Sequence, residues 1–358
     1  MQALLEEQLS RSHNLPGQLL YCYTRYQLSN DISFRERAEA ALIELTARVV
    51  AKQVTDARTL RGLLLSGSYQ DATIASSCRQ ALAVLDEFLV NHAAAFVKGY
   101  TLDGWYTAAV IARYFLLRNK PEYLEVLVNA WCETADPPTK PRVNPLLSYE
   151  SHTSLGFEGI SGLLILLVEI APAVSNETFR KIIREGIRFL LSFRSEVDFS
   201  NRQYAVFPQA ITSNQEVNGE NRKLGWGGSD LAQALLFYRA SGLFQDDQLR
   251  RTADLIGLNT LLRRGEEHLL TRNETVFGGA AGVAQTYATL YRLSGHQAYQ
   301  EGYKHWLKEI LISLDAQADE KYAGKEYDLY DGLLGIYLVL LSYQAEKTMN
   351  WSGALLLN

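Results

Sequence analysis

Acidic residues stand directly before a glycine in three of the glycine-rich openings that recur along the chain. They are Asp103, Glu158 and Asp331. A carboxyl group serves as a general acid or base when an apolar setting raises its pKa. We predict this role for Glu158, and substrate binding for Asp331. The alternative is structural, because a helix N-terminus favours a carboxylate through its dipole or as a cap.

Basic and aromatic residues gather before and around a fourth glycine-rich stretch. We predict that Lys223 is catalytic and that Arg222 binds substrate, since desolvated cations stabilise a carboxylate or an enolate-like intermediate. Solvated loop charges would give the same pattern. Trp226, Asp230 and Tyr204 are predicted to bind substrate. Structural alternatives exist for each: a rim wall for Trp226, a helix cap for Asp230 and a loop anchor for Tyr204.

Glycine-rich openings of this kind recur along the chain and mark an internal repeat. Each leads into a helix that is apolar nearly all round, such as 163–168, and then into an amphipathic helix, such as 35–41. Enclosed helices are apolar on every side, whereas surface helices carry one polar face. Inner and outer helices therefore alternate. The openings contain Gly17, Gly104, Gly159, Gly225, Gly278 and Gly332.

The alternation predicts an all-α fold, a double-layered α/α toroid of about seven helical hairpins in a single domain over residues 1–358. The long loops at 136–153 and 195–223 are interpreted as insertions into one body. Ser33 is the predicted N-cap of the first outer helix, and Pro121 suits a first helical turn. Glycines permit close backbone approach and leave helix N–H groups open at one rim. We expect the functional site there.

Composition excludes several classes of protein. With 47% apolar and 21% charged residues, the chain is typical of a folded globular protein. A net charge of −5 without a basic cluster argues against nucleic acid as a partner. The N-terminus lacks the pattern of a secretory signal, and no apolar run reaches the roughly 20 residues of a membrane span. The widely spaced Cys22, Cys78 and Cys132 suit free thiols in the cytoplasm.

Four glycine-containing segments and a C-terminal tryptophan with a leucine run follow one another in a fixed order. They are Phe157-Glu158-Gly159-Ile160-Ser161-Gly162, Lys223-Leu224-Gly225-Trp226-Gly227-Gly228-Ser229-Asp230-Leu231, Val276-Phe277-Gly278-Gly279-Ala280-Ala281-Gly282, Tyr327-Asp328-Leu329-Tyr330-Asp331-Gly332-Leu333-Leu334-Gly335 and Trp351. This order resembles the lanthionine synthetase C-like cyclases over nearly the whole chain. The family is an α/α toroid of seven hairpins, in agreement with the ring predicted from the repeat.

The resemblance implies where a metal would bind in a zinc-dependent member. The family's zinc-ligating Cys and Cys-His positions fall on Gly227, Phe277 and Gly278. None of these residues carries a thiolate, imidazole or carboxylate, which zinc requires. We therefore predict no metal at this position and no cofactor.

The other active-site positions of the family also differ. A family histidine is replaced by Glu158 and a family arginine by Lys223. The family's aspartate falls near Asp103, with spacing one residue short, so the resemblance implies a catalytic role for Asp103. His152, six residues before Glu158, is a candidate to replace the lost histidine in catalysis. A solvated loop histidine is the alternative.

Three functions remain open from the sequence. The first is a zinc-independent cyclase that adds a cysteine thiol to a dehydroamino acid in a ribosomally made precursor peptide. The second is a non-catalytic scaffold that binds a precursor or leader peptide, or a partner enzyme such as a dehydratase. The third is a sugar-active α/α-barrel enzyme, which needs two rim carboxylates. The only obvious pairs for that chemistry are Glu158 with Asp103 or Asp331.

Overall fold

The computed structural model describes residues 1, 5, 14–51, 57–135, 153–201, 203–212, 217–218, 223–228, 230–314, 318–346 and 349–358. The helices are, in chain order, α1 (Leu15–Ser29), α2 (Ile32–Val50), α3 (Ala57–Leu65), α4 (Ala72–Ser77), α5 (Arg79–Lys98), α6 (Leu102–Leu117), α7 (Pro121–Ala135), α8 (Ile160–Ile170), α9 (Glu177–Leu191), α10 (Asp230–Phe244), α11 (Asp247–Thr260), α12 (Ala280–Ser294), α13 (Gln297–Ser313), α14 (Ala318–Lys321) and α15 (Leu333–Gln344).

Seven of these helices form a closed inner ring, in the order α1, α3, α6, α8, α10, α12 and α15. Each contacts the next one, and α15 contacts α1. The outer layer follows the same order, with α2, α5, α7, α9, α11 and α13 packed against the ring or against one another. The predicted all-α, double-layered α/α toroid is confirmed. The assignment of residues 1–358 to one domain stays a prediction.

Burial explains why the two kinds of helix occupy different layers. In α8 every residue except Glu169 is buried, so this helix has no face suited to water. In α9 the buried side chains include Phe179, Ile183, Ile187 and Leu190, which repeat at the spacing of a single helical face. A helix that is apolar on all sides is stable only when other elements enclose it. The amphipathic outer helices cover the inner ring with their apolar faces.

The seventh unit has a short 3-10 helix where the other units have a second long helix. After α15 the chain forms a short 3-10 helix, Asn350–Leu355, which contacts α1 and α3 of the inner ring. Residues 351–357 are buried. The Trp351 indole N–H donates to Ser342 Oγ at 2.8 Å, and Thr289 Oγ1 donates to the Leu357 carbonyl at 2.8 Å. Because this segment is apolar on all sides, it lies among the inner helices rather than in the outer layer.

Two local details also bear on the sequence predictions. Asp31, not Ser33, is the N-cap of α2, and its side chain accepts a hydrogen bond from the Ser33 N–H at 2.9 Å. The carboxylate is the stronger acceptor and stands one residue before the helix. Pro121 is the first residue of α7, as predicted.

A small antiparallel sheet joins the two long loops. Its strands are β1 (Thr153–Ser154), β2 (Ala210–Ile211) and β3 (Val217–Asn218), in the order β1-β2-β3. Most of the predicted 136–153 insertion lies outside the described residues. Among the helices that are described, none combines the length and apolarity needed to cross a membrane.

Candidate functional site

The starts of the inner helices lie next to one another at one end of the ring. The Tyr106 hydroxyl, at the start of α6, donates to the Phe157 carbonyl before α8 at 2.9 Å. The Gly227 N–H, before α10, donates to the carbonyl of Phe277 before α12 at 2.7 Å. The Val276 N–H donates to a carbonyl before α15, that of Tyr330, at 3.0 Å. The Gln233 side-chain amide of α10 also donates to the Leu155 carbonyl before α8 at 2.7 Å. These bonds join the starts of five inner helices into one rim.

Glycines are required where the rim segments pass close to the helices. A Cβ atom on Gly282 would overlap the Val276 carbonyl oxygen and lie 2.8 Å from the Trp226 Cβ. Gly162 and Gly335 stand in the same relation to carbonyls before their own helices. The recurring second glycine therefore reflects a steric requirement of the rim, repeated in three units.

Aromatic side chains form a wall along this rim, centred on Trp226. The Trp226 and Phe157 rings are stacked, with centroids 5.4 Å apart and planes 3° from parallel. Tyr330 and Phe277 lie against the same indole at 5.1 and 6.4 Å. Trp226 is 1% exposed, so it supports the rim from below.

A charged cluster lies beside this wall and contains a residue that the sequence motifs did not indicate. Arg61 of α3 forms an ion pair with Asp103, in the first turn of α6. Its guanidinium lies over the Tyr106 ring, 4.5 Å from the centroid. Burial raises the pKa of Tyr106, while Arg61 lowers it and Glu158 raises it electrostatically. Arg61 and Glu158 are thus both close enough to influence one buried hydroxyl.

Glu158 lies in the segment that leads into α8 and is partly exposed. Its neighbour Phe157 is held by the Tyr106 hydroxyl on one side and by the Trp226 ring on the other. These contacts fix the backbone that carries Glu158. Tyr106 therefore links the surroundings of two predicted catalytic residues: its hydroxyl holds the segment that carries Glu158, and its ring lies under Arg61, the partner of Asp103.

Lys223 has a different neighbourhood. Its ammonium group donates to the backbone carbonyl of Glu267, in the loop between α11 and α12. The Leu270 N–H donates to the Leu224 carbonyl at 2.8 Å, which pairs the two segments further. Lys223 therefore helps to fasten this loop to the rim, and its catalytic role stays a prediction.

Asp230 is buried beneath the rim and is 1% exposed. It forms an ion pair with Arg263 and accepts hydrogen bonds from the Val206 and Phe207 N–H groups at 3.3 and 3.0 Å. Burial raises the pKa of Asp230, against the lowering effects of Arg263 and these N–H groups. Arg263 also donates to the Tyr204 carbonyl at 3.2 Å. Asp230 thus anchors the 203–212 loop, and its predicted substrate contact is not tested.

The remaining predicted site residues divide into two groups. Tyr204 and Asp331 are half-buried, with the Tyr204 ring 6.2 Å from that of Phe199. His152 and Arg222 lie outside the described residues. Roles in substrate binding or catalysis stay predictions for all four.

Comparison with known proteins gives a consistent result. The sequence profile of the family described as "Lanthionine synthetase C-like protein" matches residues 8–356. The chain belongs to the lanthionine synthetase C-like family. Among solved structures it is similar to one described as "Nisin cyclase", with a TM-score of 0.74 and 15% identity, over 99% of this chain and 95% of the other.

A second solved structure, described as a sugar epimerase from a ruminal bacterium, has a TM-score of 0.41 and 12% identity, over 83% of this chain and 75% of the other. No curated protein matches the chain.

The position of the metal in zinc-dependent lanthionine synthetase C-like proteins does not suit a metal ion in this chain. Gly227, Phe277 and Gly278 supply no ligating side-chain atom. A Cβ on Gly227 would lie 2.7 Å from the Phe277 ring, so the ring fills the space of a side chain at position 227. Across the described residues, no three His, Cys, Asp or Glu side chains are grouped as a metal site.

Proposed function

We propose that this lanthionine synthetase C-like protein is a zinc-independent cyclase that acts on a ribosomally made, dehydrated precursor peptide in the cytoplasm. The carrying observation is the ion pair of Arg61 and Asp103 at the rim, which Tyr106 joins to the segment that carries Glu158, beside an aromatic wall. Polar groups that converge next to apolar surface are typical of ligand sites.

The reaction is an addition that needs no oxidant. A cysteine thiol of the peptide loses its proton, its sulfur bonds to the β-carbon of a dehydroamino acid, and the α-carbon gains a proton. The net change is the transfer of one hydrogen from sulfur to carbon. Among the described rim residues, Glu158 and Asp103 have the chemistry to accept and return this proton.

Removing the proton from the cysteine thiol is the difficult step of the reaction. A thiol has a reference pKa of about 8.5 and a carboxyl group one of about 4, so full proton transfer to a carboxylate is unfavourable by a factor of about 10⁴. A carboxylate base therefore has to act in concert with sulfur–carbon bond formation. The enzyme should be slower than one that activates the thiol with a metal ion.

Mass spectrometry with a dehydrated precursor peptide tests the activity. Cyclisation leaves the mass unchanged but protects cysteines from a thiol-blocking reagent, so wild type should produce peptide that resists labelling. Elemental analysis should find less than stoichiometric zinc. Glu158→Gln should slow cyclisation about 10²-fold or more, whereas Glu44→Gln, at the exposed ion pair with Arg48 on α2, should not.

A non-catalytic scaffold is the second candidate, and the Phe277 ring favours it. The ring turns the family's metal position into apolar surface, which suits binding better than thiol activation. In this case the rim holds a precursor or leader peptide, or a partner such as a dehydratase. Tight binding of the precursor by wild type, with no cyclisation and no effect of Glu158→Gln on affinity, would establish the scaffold.

A further inference from the structure

Arg61 connects two parts of the rim that are far apart in sequence. It lies on α3, in the second unit of the ring, which has the least regular sequence of the seven. Its guanidinium pairs with Asp103 Oδ1 and donates to Thr107 Oγ1 at 3.3 Å. The same group stacks over the Tyr106 ring. These three contacts, all with residues in the first two turns of α6, fix the orientation of the guanidinium.

The two members of the ion pair differ in exposure. The Arg61 side chain is 17% exposed and that of Asp103 is 61% exposed. Among the described residues, the hydrogen bond to the Asp103 side chain comes from Arg61 and goes to Oδ1. An arginine held by stacking and by a hydroxyl is a rigid partner. The Asp103 carboxylate is therefore exposed to solvent, while the more buried Arg61 fixes its position.

An ordinary surface ion pair would not have this arrangement. Arg48 and Glu44 on α2 are 46% and 51% exposed, and they join neighbouring turns of one helix. Such pairs contribute little to stability and leave both side chains mobile. Arg61 instead crosses from one inner helix to the next, at the rim and over the Tyr106 ring.

We propose that Arg61 is a positioning residue, which holds the Asp103 carboxylate as a fixed hydrogen-bond acceptor for the cysteine thiol of the precursor peptide. This inference rests on the proposed function. The thiol S–H donates to the carboxylate oxygen that Arg61 leaves available, and this contact orients the sulfur towards the dehydroamino acid. Correct orientation of reacting atoms contributes to the rate without requiring tighter binding.

Kinetics of five proteins test this role: wild type, Arg61→Gln, Arg61→Lys, Asp103→Asn and the double variant Arg61→Gln/Asp103→Asn. Arg61→Gln should lower kcat at least 10-fold, with KM and the peptide Kd, measured by fluorescence anisotropy, within about two-fold of wild type. Arg61→Lys should recover part of the loss. The double variant should be no slower than Asp103→Asn alone, because both changes remove one function.

Arg48→Gln is the matched control and should behave as wild type. A wild-type kcat in Arg61→Gln, or a double variant much slower than Asp103→Asn, would overturn the inference while leaving the cyclase intact. If wild type binds the peptide but never cyclises it, the proposed activity fails. The role of Arg61 in orienting the thiol, which rests on that activity, then fails with it.

Discussion

The indole N–H of Trp226 donates to the backbone carbonyl of Leu355 at 2.8 Å. This bond joins the rim to the C-terminal segment among the inner helices, across 129 positions of sequence. Both groups are buried, so neither has water as an alternative partner. Support for the aromatic wall therefore comes from the end of the chain as well as from the helices of the ring.

The first prediction concerns this bond. Trp226→Phe removes the donor and leaves the buried Leu355 carbonyl without it, whereas Trp131→Phe removes a buried indole N–H that has no hydrogen-bond partner within the described structure. The Trp226 variant should therefore lose about 1–3 kcal/mol more of the free energy of unfolding than the Trp131 variant. Urea denaturation measures both values. Equal losses would mean that the bond contributes nothing to stability.

The second prediction concerns the glycine spacing of the rim. Gly282→Ala forces a methyl group against the Val276 carbonyl and the Trp226 Cβ, and should cost about 3 kcal/mol. Gly242→Ala, in the exposed last turn of α10, meets nothing within 4 Å and should stabilise the protein by about 0.5–1 kcal/mol. Thermal melting of the two variants should show shifts of opposite sign. A stable Gly282→Ala protein would contradict the steric account of the repeat.

The third prediction concerns pH. Glu274 is buried and accepts hydrogen bonds from Lys321 Nζ at 2.7 Å and from the Tyr322 hydroxyl at 2.6 Å. Burial raises the pKa of Glu274, but the hydrogen bonds from Lys321 and Tyr322 lower it by more. The pKa of Glu274 is therefore below the ordinary value of 4.5. A depressed carboxyl pKa stabilises the fold above about pH 4.5 and loses that effect as pH falls through the folded-state pKa.

Glu274→Gln should accordingly cost about 1.5–3 kcal/mol at pH 7. The difference from wild type should shrink as the pH is lowered below about 4.5. Unfolding curves at pH 7, 5 and 4 measure this trend. Glu185→Gln, at an exposed pair 4.0 Å from Lys181, is the control and should cost well under 1 kcal/mol at each pH. A pH-independent cost for Glu274→Gln would refute the assignment.

The fourth prediction concerns the family's metal position. The triple variant Gly227→Cys/Phe277→Cys/Gly278→His restores three zinc ligands and removes the ring that fills their space. A Cβ at position 278 would still lie 2.6 Å from Thr271 Oγ1. Zinc affinity, measured by competition with a chelating dye, should therefore be at least 10-fold tighter when Thr271→Gly is added. Equal affinity of the two variants would show that Thr271 moves aside freely.

Much of the architecture was predictable because it depends on residues that are close together in the sequence. The apolar run of α8 and the single apolar face of α9 are each read within fewer than 20 residues. Ring closure follows from repeating that unit. The order of the glycine motifs also predicted the family. In three of these motifs a glycine lies near a helix start where a Cβ atom would overlap a backbone carbonyl.

The site was predictable only in part. Asp103 and Glu158 were indicated by the glycines that follow them, whereas Arg61 lies mid-helix in a unit without a clear motif. Gly62, which directly follows Arg61 and is a possible opening of that unit, was the available signal. Asp230 was indicated as a ligand or cap, but its partner Arg263 is 33 positions away, and only the packed loop shows what the carboxylate holds.

The sequence alone determined the alternation of helices, the glycine-marked rim and the lack of ligating atoms at Gly227, Phe277 and Gly278, because these depend on residue type and short spacing. Only the tertiary structure decided that the C-terminal segment lies among the inner helices, that the Phe277 ring fills the space beside Gly227 and that Arg61 reaches Asp103. Such contacts join residues from different units. They exist only after the ring has closed and brought those units together.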